Sequence, residues 1–419
     1  MPSHPPANTP PVLPQGRVVL VLALLLGIQP VTTDLYLPAL PALTAGFAAP
    51  LPQAQLTLTA LLLAFGASQL VWGPLSDRFG RRPILLWGLA AYIVAAIASV
   101  LAPSMWWLIA CRSVQGAAMG ASVMCARAIV RDLYTPDEGA RAMSRGLTGL
   151  GIIACASAPL GGLLTDLFHW RAALLVLAVF GAATLVVVAL RFEETLQHKN
   201  PMALQPATLW RTWAGIVRHP TFWAFSALSI ASYGGLFTFL AASSFVFIGV
   251  LGVSKTGYGL LMFSMSLAYI LGTFVCRRLL QRFGVQCTVA IAAGFSLAGG
   301  TAMGLLALAG VVGIWSIMLP FYLFMLGHGV HQPCGQSGAV GPFPQAAGAA
   351  SALNGFLMMV AAFAMGSWLG THLDGGVTAL THGLWFWSVC IALAAWMLVP
   401  RYGQPVPSTP PAMAGLEPP

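Results

Sequence analysis

Twelve apolar runs recur along the chain, at residues 17–40, 55–75, 83–101, 104–124, 142–164, 170–190, 222–250, 257–276, 285–308, 311–333, 348–371 and 380–399. A hydrocarbon core of roughly 30 Å takes about 20 apolar residues as a helix, and lipid tolerates no unpaired backbone, so each run is expected to cross a membrane as a helix. With 58% hydrophobic and 7% charged residues and a mean hydropathy of +0.83, the chain has too few charges to cover a soluble surface of its length. The fold class read from this is an all-α membrane protein of twelve transmembrane helices in two six-helix bundles. A longer polar connection, the cytoplasmic linker 191–221, divides the N-terminal bundle (17–190) from the C-terminal bundle (222–400). Residues 1–16 and 401–419 are Pro-rich and read as disordered cytoplasmic tails, the first without the basic start and cleavage site of a signal peptide.

A net charge of +9 gathered on one soluble face would suggest nucleic acid, but its distribution marks one side of a membrane. With the amino terminus inside, only Arg171 and Lys255 of the nineteen basic residues fall outside, and Arg112 lies within run 4. The rest sit at cytoplasmic ends and loops, which puts both termini in the cytoplasm by the positive-inside rule and leaves lipid, not nucleic acid, as the surrounding partner. Of the ten acids, Asp77, Asp132, Asp137, Glu138, Glu193 and Glu194 belong to cytoplasmic loops, Asp166 and Asp374 lie toward the outside, and Glu417 is in the tail. Only Asp34 falls within apolar depth. The seven cysteines are scattered along the runs without ligand-like spacing and read as packed free thiols.

Between runs 2 and 3 stands Gly73-Pro-Leu-Ser-Asp77-Arg78-Phe-Gly80-Arg81-Arg82-Pro83. This resembles the helix 2–3 loop of the major facilitator superfamily, G-x-L-a-D-r-x-G-R-[KR]-x-x-L, at Gly73, Leu75, Asp77, Arg78, Gly80, Arg81, Arg82 and Leu85. The resemblance implies the major facilitator fold and a cytoplasmic latch holding the outward-facing state. In that latch Asp77 would lie at a helix amino terminus and pair with Arg127 or Arg131 at the inner end of run 4. A purely topological role for Arg78, Arg81 and Arg82 stands beside this one. Shifted by 204 residues, Arg78-Phe79-Gly80 falls on Arg282-Phe283-Gly284 between runs 8 and 9, while Asp77 falls on Gln281. Repeats of this kind place a substrate site at their interface near the midplane.

Asp34 follows Arg17 by about 25 Å of helix at about 1.5 Å per residue. A carboxylate at such depth costs on the order of 2.5–3.5 kcal/mol and usually faces a cavity or a partner, and removal from water favours its neutral form. Two readings stand: a proton carrier, or a cap on the break made by Pro38 and Pro41. The surrounding Thr32-Thr33-Asp34-Leu35-Tyr36-Leu37-Pro38-Ala39-Leu40-Pro41 resembles the helix 1 signature of the Bcr/CflA group of drug exporters, which implies proton-driven efflux with this acid binding the proton. Arg112-Ser-Val-Gln115-Gly116-Ala-Ala-Met119-Gly120 resembles the superfamily's helix 4 pattern R-x-x-Q-G-x-x-x-[GA], whose arginine is linked to proton transfer. A guanidinium near an acid favours the ionised form, so Arg112 is a proton-coupling candidate beside Asp34; a buried hydrogen-bonded arginine without that role is the other reading. Helix 5 departs from the antiporter pattern G-P-x-x-G-G. It reads Ala158-Pro159-Leu160-Gly161-Gly162, with one residue fewer, which turns the following face by about 100°.

His328 and His331 lie three apart on run 10 with no further ligands nearby, so no metal is expected; polar lining of a path and packing both stand. Tyr36, Gln115, Met119, Tyr233, Phe237, Tyr322, His328 and Met358 are candidate lining for an adaptable apolar site. The resemblance implies a secondary active transporter of a bacterial inner membrane, a monomer that exchanges protons for a small amphipathic compound and needs no cofactor. The alternative is a carrier of a sugar, nucleoside or amino acid. No metal constellation, nucleophile–base pair or cofactor loop points to an enzyme.

Overall fold

The computed structural model describes residues 15–134, 136–196, 199, 201, 203–373 and 376–403. Asp374 and Glu417 lie outside these described residues, and so does nearly all of both predicted tails. The helices are α1 Gln15–Asp34, α2 Leu51–Phe79, α3 Arg81–Val100, α4 Met105–Leu133, α5 Pro136–Leu167 and α6 Trp170–Arg191. After the linker come α7 Pro220–Ser244, α8 at 255–283, α9 at 285–308, α10 Ile314–Val340, α11 Ala347–His372 and α12 Thr378–Leu393. Among the described residues eleven continuous segments are long and apolar enough to cross a membrane. One of them, Lys255–Leu308, is two helices joined at Gly284, where the backbone leaves helical geometry, so the spans number twelve. Both α7 and α12 continue through a wider π turn, Phe245–Val250 and Ala394–Leu398. The linker also holds a short helix, Pro206–Val217, with Ile216 buried and Trp210 exposed. All seven cysteines are free, with Cys276 and Cys334 sulfur atoms 3.8 Å apart.

Large apolar side chains such as Val94, Leu101, Trp106, Leu190, Leu308 and Trp315 stand exposed on the helix exteriors. In water such a surface would aggregate; against acyl chains it has no cost. The halves meet along α2 with α11 and α5 with α8. A Cβ on Gly66 would come within 2.6 Å of Met359, and Gln55 Nε2 donates to the Ala241 carbonyl at 2.8 Å.

The repeat seen in sequence has a backbone counterpart. Gly80 (φ 112°, ψ 162°) and Gly284 (φ 70°, ψ −179°) both break a helix pair in a region essentially restricted to glycine. Their surroundings differ: a Cβ on Gly284 would meet open space, whereas one on Gly80 would overlap the Glu194 carboxylate. Gly284→Ala is therefore expected to cost only backbone strain, about 1–3 kcal/mol. Gly80→Ala should cost more, because it also displaces Glu194. Thermal unfolding of the two variants in detergent checks this, and equal losses would contradict it.

Candidate functional site

At the cytoplasmic ends of α2, α3 and α4, Arg81 is 1% exposed and divides its donors between two carboxylates. Nη1 donates to Asp77 Oδ1 at 2.6 Å and to Ser76 Oγ at 2.7 Å. Nε donates to Asp132 Oδ2 at 2.8 Å, and Nη2 to Asp132 Oδ1 at 3.4 Å. Asp77 also lies 3.5 Å from Arg131 Nη2. The planar fork of an arginine suits this two-acid geometry, where a lysine would reach one acid at a time. Gly73 supplies the carbonyl that takes the Ser76 hydroxyl at 2.9 Å.

The linker joins this cluster through Glu194. Its Oε1 accepts the Arg81 backbone N–H at 2.8 Å and its Oε2 that of Arg82 at 3.1 Å, so a carboxylate sits on the positive end of α3. The same side chain takes the N–H groups of Thr195 and Leu196, and Arg82 donates to the Ala189 carbonyl at 3.0 Å. Of the remaining predicted latch residues, Arg78 lies over its neighbour Phe79. Arg127 reaches the other bundle, its Nη1 donating to Ser351 Oγ of α11 at 3.0 Å. Arg131, not Arg127, is thus the α4 partner near Asp77, and Arg127 joins the halves instead.

At mid-depth the sequence dictates a break. The carbonyl of Asp34 would take its helical bond from the N–H of residue 38, and that residue is proline. Accordingly α1 stops at Asp34, and the chain continues through a tight turn, Leu37–Ala39, into the short helix Leu40–Gly46. The half-buried Asp34 accepts from Thr33 Oγ1 at 2.8 Å. It lines a small cavity with Leu37, Ala154 and Ala158 of its own bundle and Leu240, Met262, Met265 and Ser266 of the other. Ser266 is the only other polar side chain in that lining.

Arg112 is fully buried behind this break. Its Nη2 donates to the Thr32 carbonyl at 2.8 Å and its Nη1 to Gln115 Oε1 at 2.7 Å. The guanidinium also lies over the Tyr36 ring, 4.3 Å from its centre. Tyr36 in turn bonds Thr57, and Thr32 bonds Tyr92, each at 2.7 Å. Among the described residues no carboxylate pairs with Arg112, and its Nε and Gln115 Nε2 have no protein partner. Asp34 and Arg112 therefore flank the same break while bonding separately.

The other predicted lining residues are dispersed. Met119 and Phe237 are buried, and Tyr233 packs partly buried against the core. Tyr322 bonds Ser264 of α8 at 2.7 Å, His328 bonds Ser232 of α7 at 2.8 Å, and Met358 receives the Asn354 amide. His331 is buried with both ring nitrogens unpartnered; among the described residues no cluster suits a metal ion. Sequence reasoning missed Glu194 and Asp132 as partners of Arg81, and Met262, Met265 and Ser266 as cavity wall. The 262-265-266 spacing on one helical face was the available signal for the last three.

The sequence matches the family profile described as Major Facilitator Superfamily over residues 22–367. It is 31% identical over 346 residues to multidrug resistance protein D of Escherichia coli, spanning 82% of this chain and 86% of that one. A bicyclomycin resistance protein homolog of Haemophilus influenzae is 28% identical over 350 residues, 83% of this chain and 87% of the relative. Among solved structures, the xylose transporter XylE of E. coli in a partially occluded inward open conformation superposes with a TM-score of 0.71 at 13% identity, over 91% of this chain and 96% of that one.

Proposed function

The chain belongs to the Major Facilitator Superfamily, and from that premise we propose that it is a proton-coupled antiporter of the Bcr/CflA type, exporting small amphipathic compounds across a bacterial inner membrane. The observation that carries this reading is Asp34, an acid at the boundary of two bundles in a cavity otherwise apolar except for Ser266. A cavity walled by two methionines adapts to varied apolar shapes. Two methionines beside the acid favour an amphipathic cargo over a sugar or an amino acid. The drug-resistance names of the bacterial relatives support the same direction and membrane.

In this scheme Asp34 takes a proton from outside as cargo leaves and releases it inside as cargo enters. The membrane potential adds about 2.3 kcal/mol per charge per 100 mV to that exchange. Arg112 tunes the release through the shared α1 break. The Asp77, Arg81, Arg131 and Asp132 cluster stiffens the inner ends of α2 and α4, and Arg127 with Ser351 closes the halves on that side.

The test is proton movement in proteoliposomes on addition of bicyclomycin, chloramphenicol or ethidium, with wild type beside Asp34→Asn. Wild type is expected to move protons with at least one of these compounds, and the variant to lose most of that flux, the effect of removing the proton carrier. Flux indifferent to the substitution would remove Asp34 from the role.

A further inference from the structure

The outer ends of α5 and α8 carry a contact that the scheme above leaves unused. Asp166 lies one residue from the end of α5, beside the first turn of α8. Its Oδ2 accepts from the Thr256 backbone N–H at 2.8 Å and from the Thr256 hydroxyl at 2.7 Å. Its Oδ1 is 3.5 Å from Lys255 Nζ, which also donates to the Thr165 carbonyl at 3.4 Å. Among the described residues this is the one ion pair that joins the two bundles.

Three features make it more than a surface pair. Lys255 is the first residue of α8, a position where a cation is disfavoured by the helix's partial positive charge. The carboxylate of Asp166 answers both that charge and the lysine. Beneath it the two backbones touch: a Cβ on Gly162 would overlap the Lys255 carbonyl, and one on Gly259 would lie 2.7 Å from Pro159 Cα. The Gly161-Gly162 pair that departs from the antiporter pattern is thus fitted to close approach, since Gly161 likewise admits the Leu35 carbonyl at the α1 break. Farther along the same two helices, Ala154, Ala158, Met262 and Met265 form the cavity wall. The contact therefore stands between the cavity and the outer side, the side on which the charge rule places Arg171 and Lys255.

We propose that Asp166, seated on Thr256 and Lys255, is the clasp of the outer gate. It is a positioning residue: α5 and α8 must part here for the cavity to open outward, and the strength of the clasp sets how often they do. The inference rests on the alternating-access reading of the chain, and its test needs no transported compound.

The test introduces Ala154→Cys as a reporter in the cavity wall and measures its labelling by a membrane-impermeant maleimide added outside intact cells, above the rate of the parent with its native Cys155. Asp166→Asn is expected to raise that rate about tenfold, equivalent to about 1.4 kcal/mol in the opening equilibrium. Asp166→Glu, which keeps the charge, should restore most of the protection. Labelling unchanged in Asp166→Asn, with the protein present in the membrane at the parent's level, would overturn the clasp. Faster labelling in a protein that moves protons with no compound would uphold the clasp and sink the antiport reading instead.

Discussion

Arg81→Ala is expected to destabilise the folded protein by about 3–5 kcal/mol, the cost of removing one partner from a buried ion pair and leaving the other uncompensated. Here one buried guanidinium serves two acids: Asp77 at 2.6 Å and Asp132 at 2.8 Å. Without it two carboxylates share a site whose remaining cation, Arg131, is 61% exposed and stands 3.5 Å and 3.9 Å from them. An exposed pair of that kind recovers about 0–1 kcal/mol. Arg81→Lys should fall between, because an ammonium lacks the fork that grips Asp132 through two nitrogens. Arg78→Ala, an exposed neighbour in the same motif, should stay within about 0.5 kcal/mol. Thermal unfolding of the three variants in one detergent decides it. Equal shifts for Arg78 and Arg81 would mean that the loop fixes orientation only, and that the buried cluster contributes nothing to the fold.

That contrast marks how far the sequence could be read. The twelve spans were legible because lipid imposes one rule on every backbone, and run length follows from it. The joint at Gly284 was legible too, as the echo of Arg78-Phe79-Gly80 in Arg282-Phe283-Gly284. The partners of Arg81 were not. Glu194 is 113 residues away in the chain from the N–H it takes at Arg81, and Asp132 is 51 residues from the guanidinium; nothing local in Glu193-Glu194 says which acid turns inward. The linker helix Pro206–Val217 was hidden for another reason, since it is too short and too mixed in polarity to register as a span. At the cavity, Asp34 stood out because a lone acid at apolar depth is costly. Its opposite wall did not, because Met262 and Met265 are what any membrane helix contains, and only the packing of α8 against α5 turns them toward it.

Arg112→Met is expected to change stability by no more than about 2 kcal/mol, relief of a buried unpaired charge offsetting two lost hydrogen bonds, while proton exchange falls about 100-fold. A fully buried guanidinium with no paired carboxylate among the described residues is held by a carbonyl, an amide oxygen and a ring face, which together repay only part of its lost hydration. Methionine fills similar volume without that charge, at the expense of leaving the Thr32 carbonyl and Gln115 short of a donor, about 1 kcal/mol each. If Arg112 were there to hold the bundle together, an apolar residue would do so at least as well. Its retention at the break that ends in Asp34 fits a charge whose work lies in the exchange and not in packing. Thermal unfolding and proteoliposome flux measured on the same preparation separate the two cases. A loss of several kcal/mol together with the flux would make Arg112 a strut of the N-terminal bundle; lost flux in a protein as stable as wild type would assign its charge to the exchange.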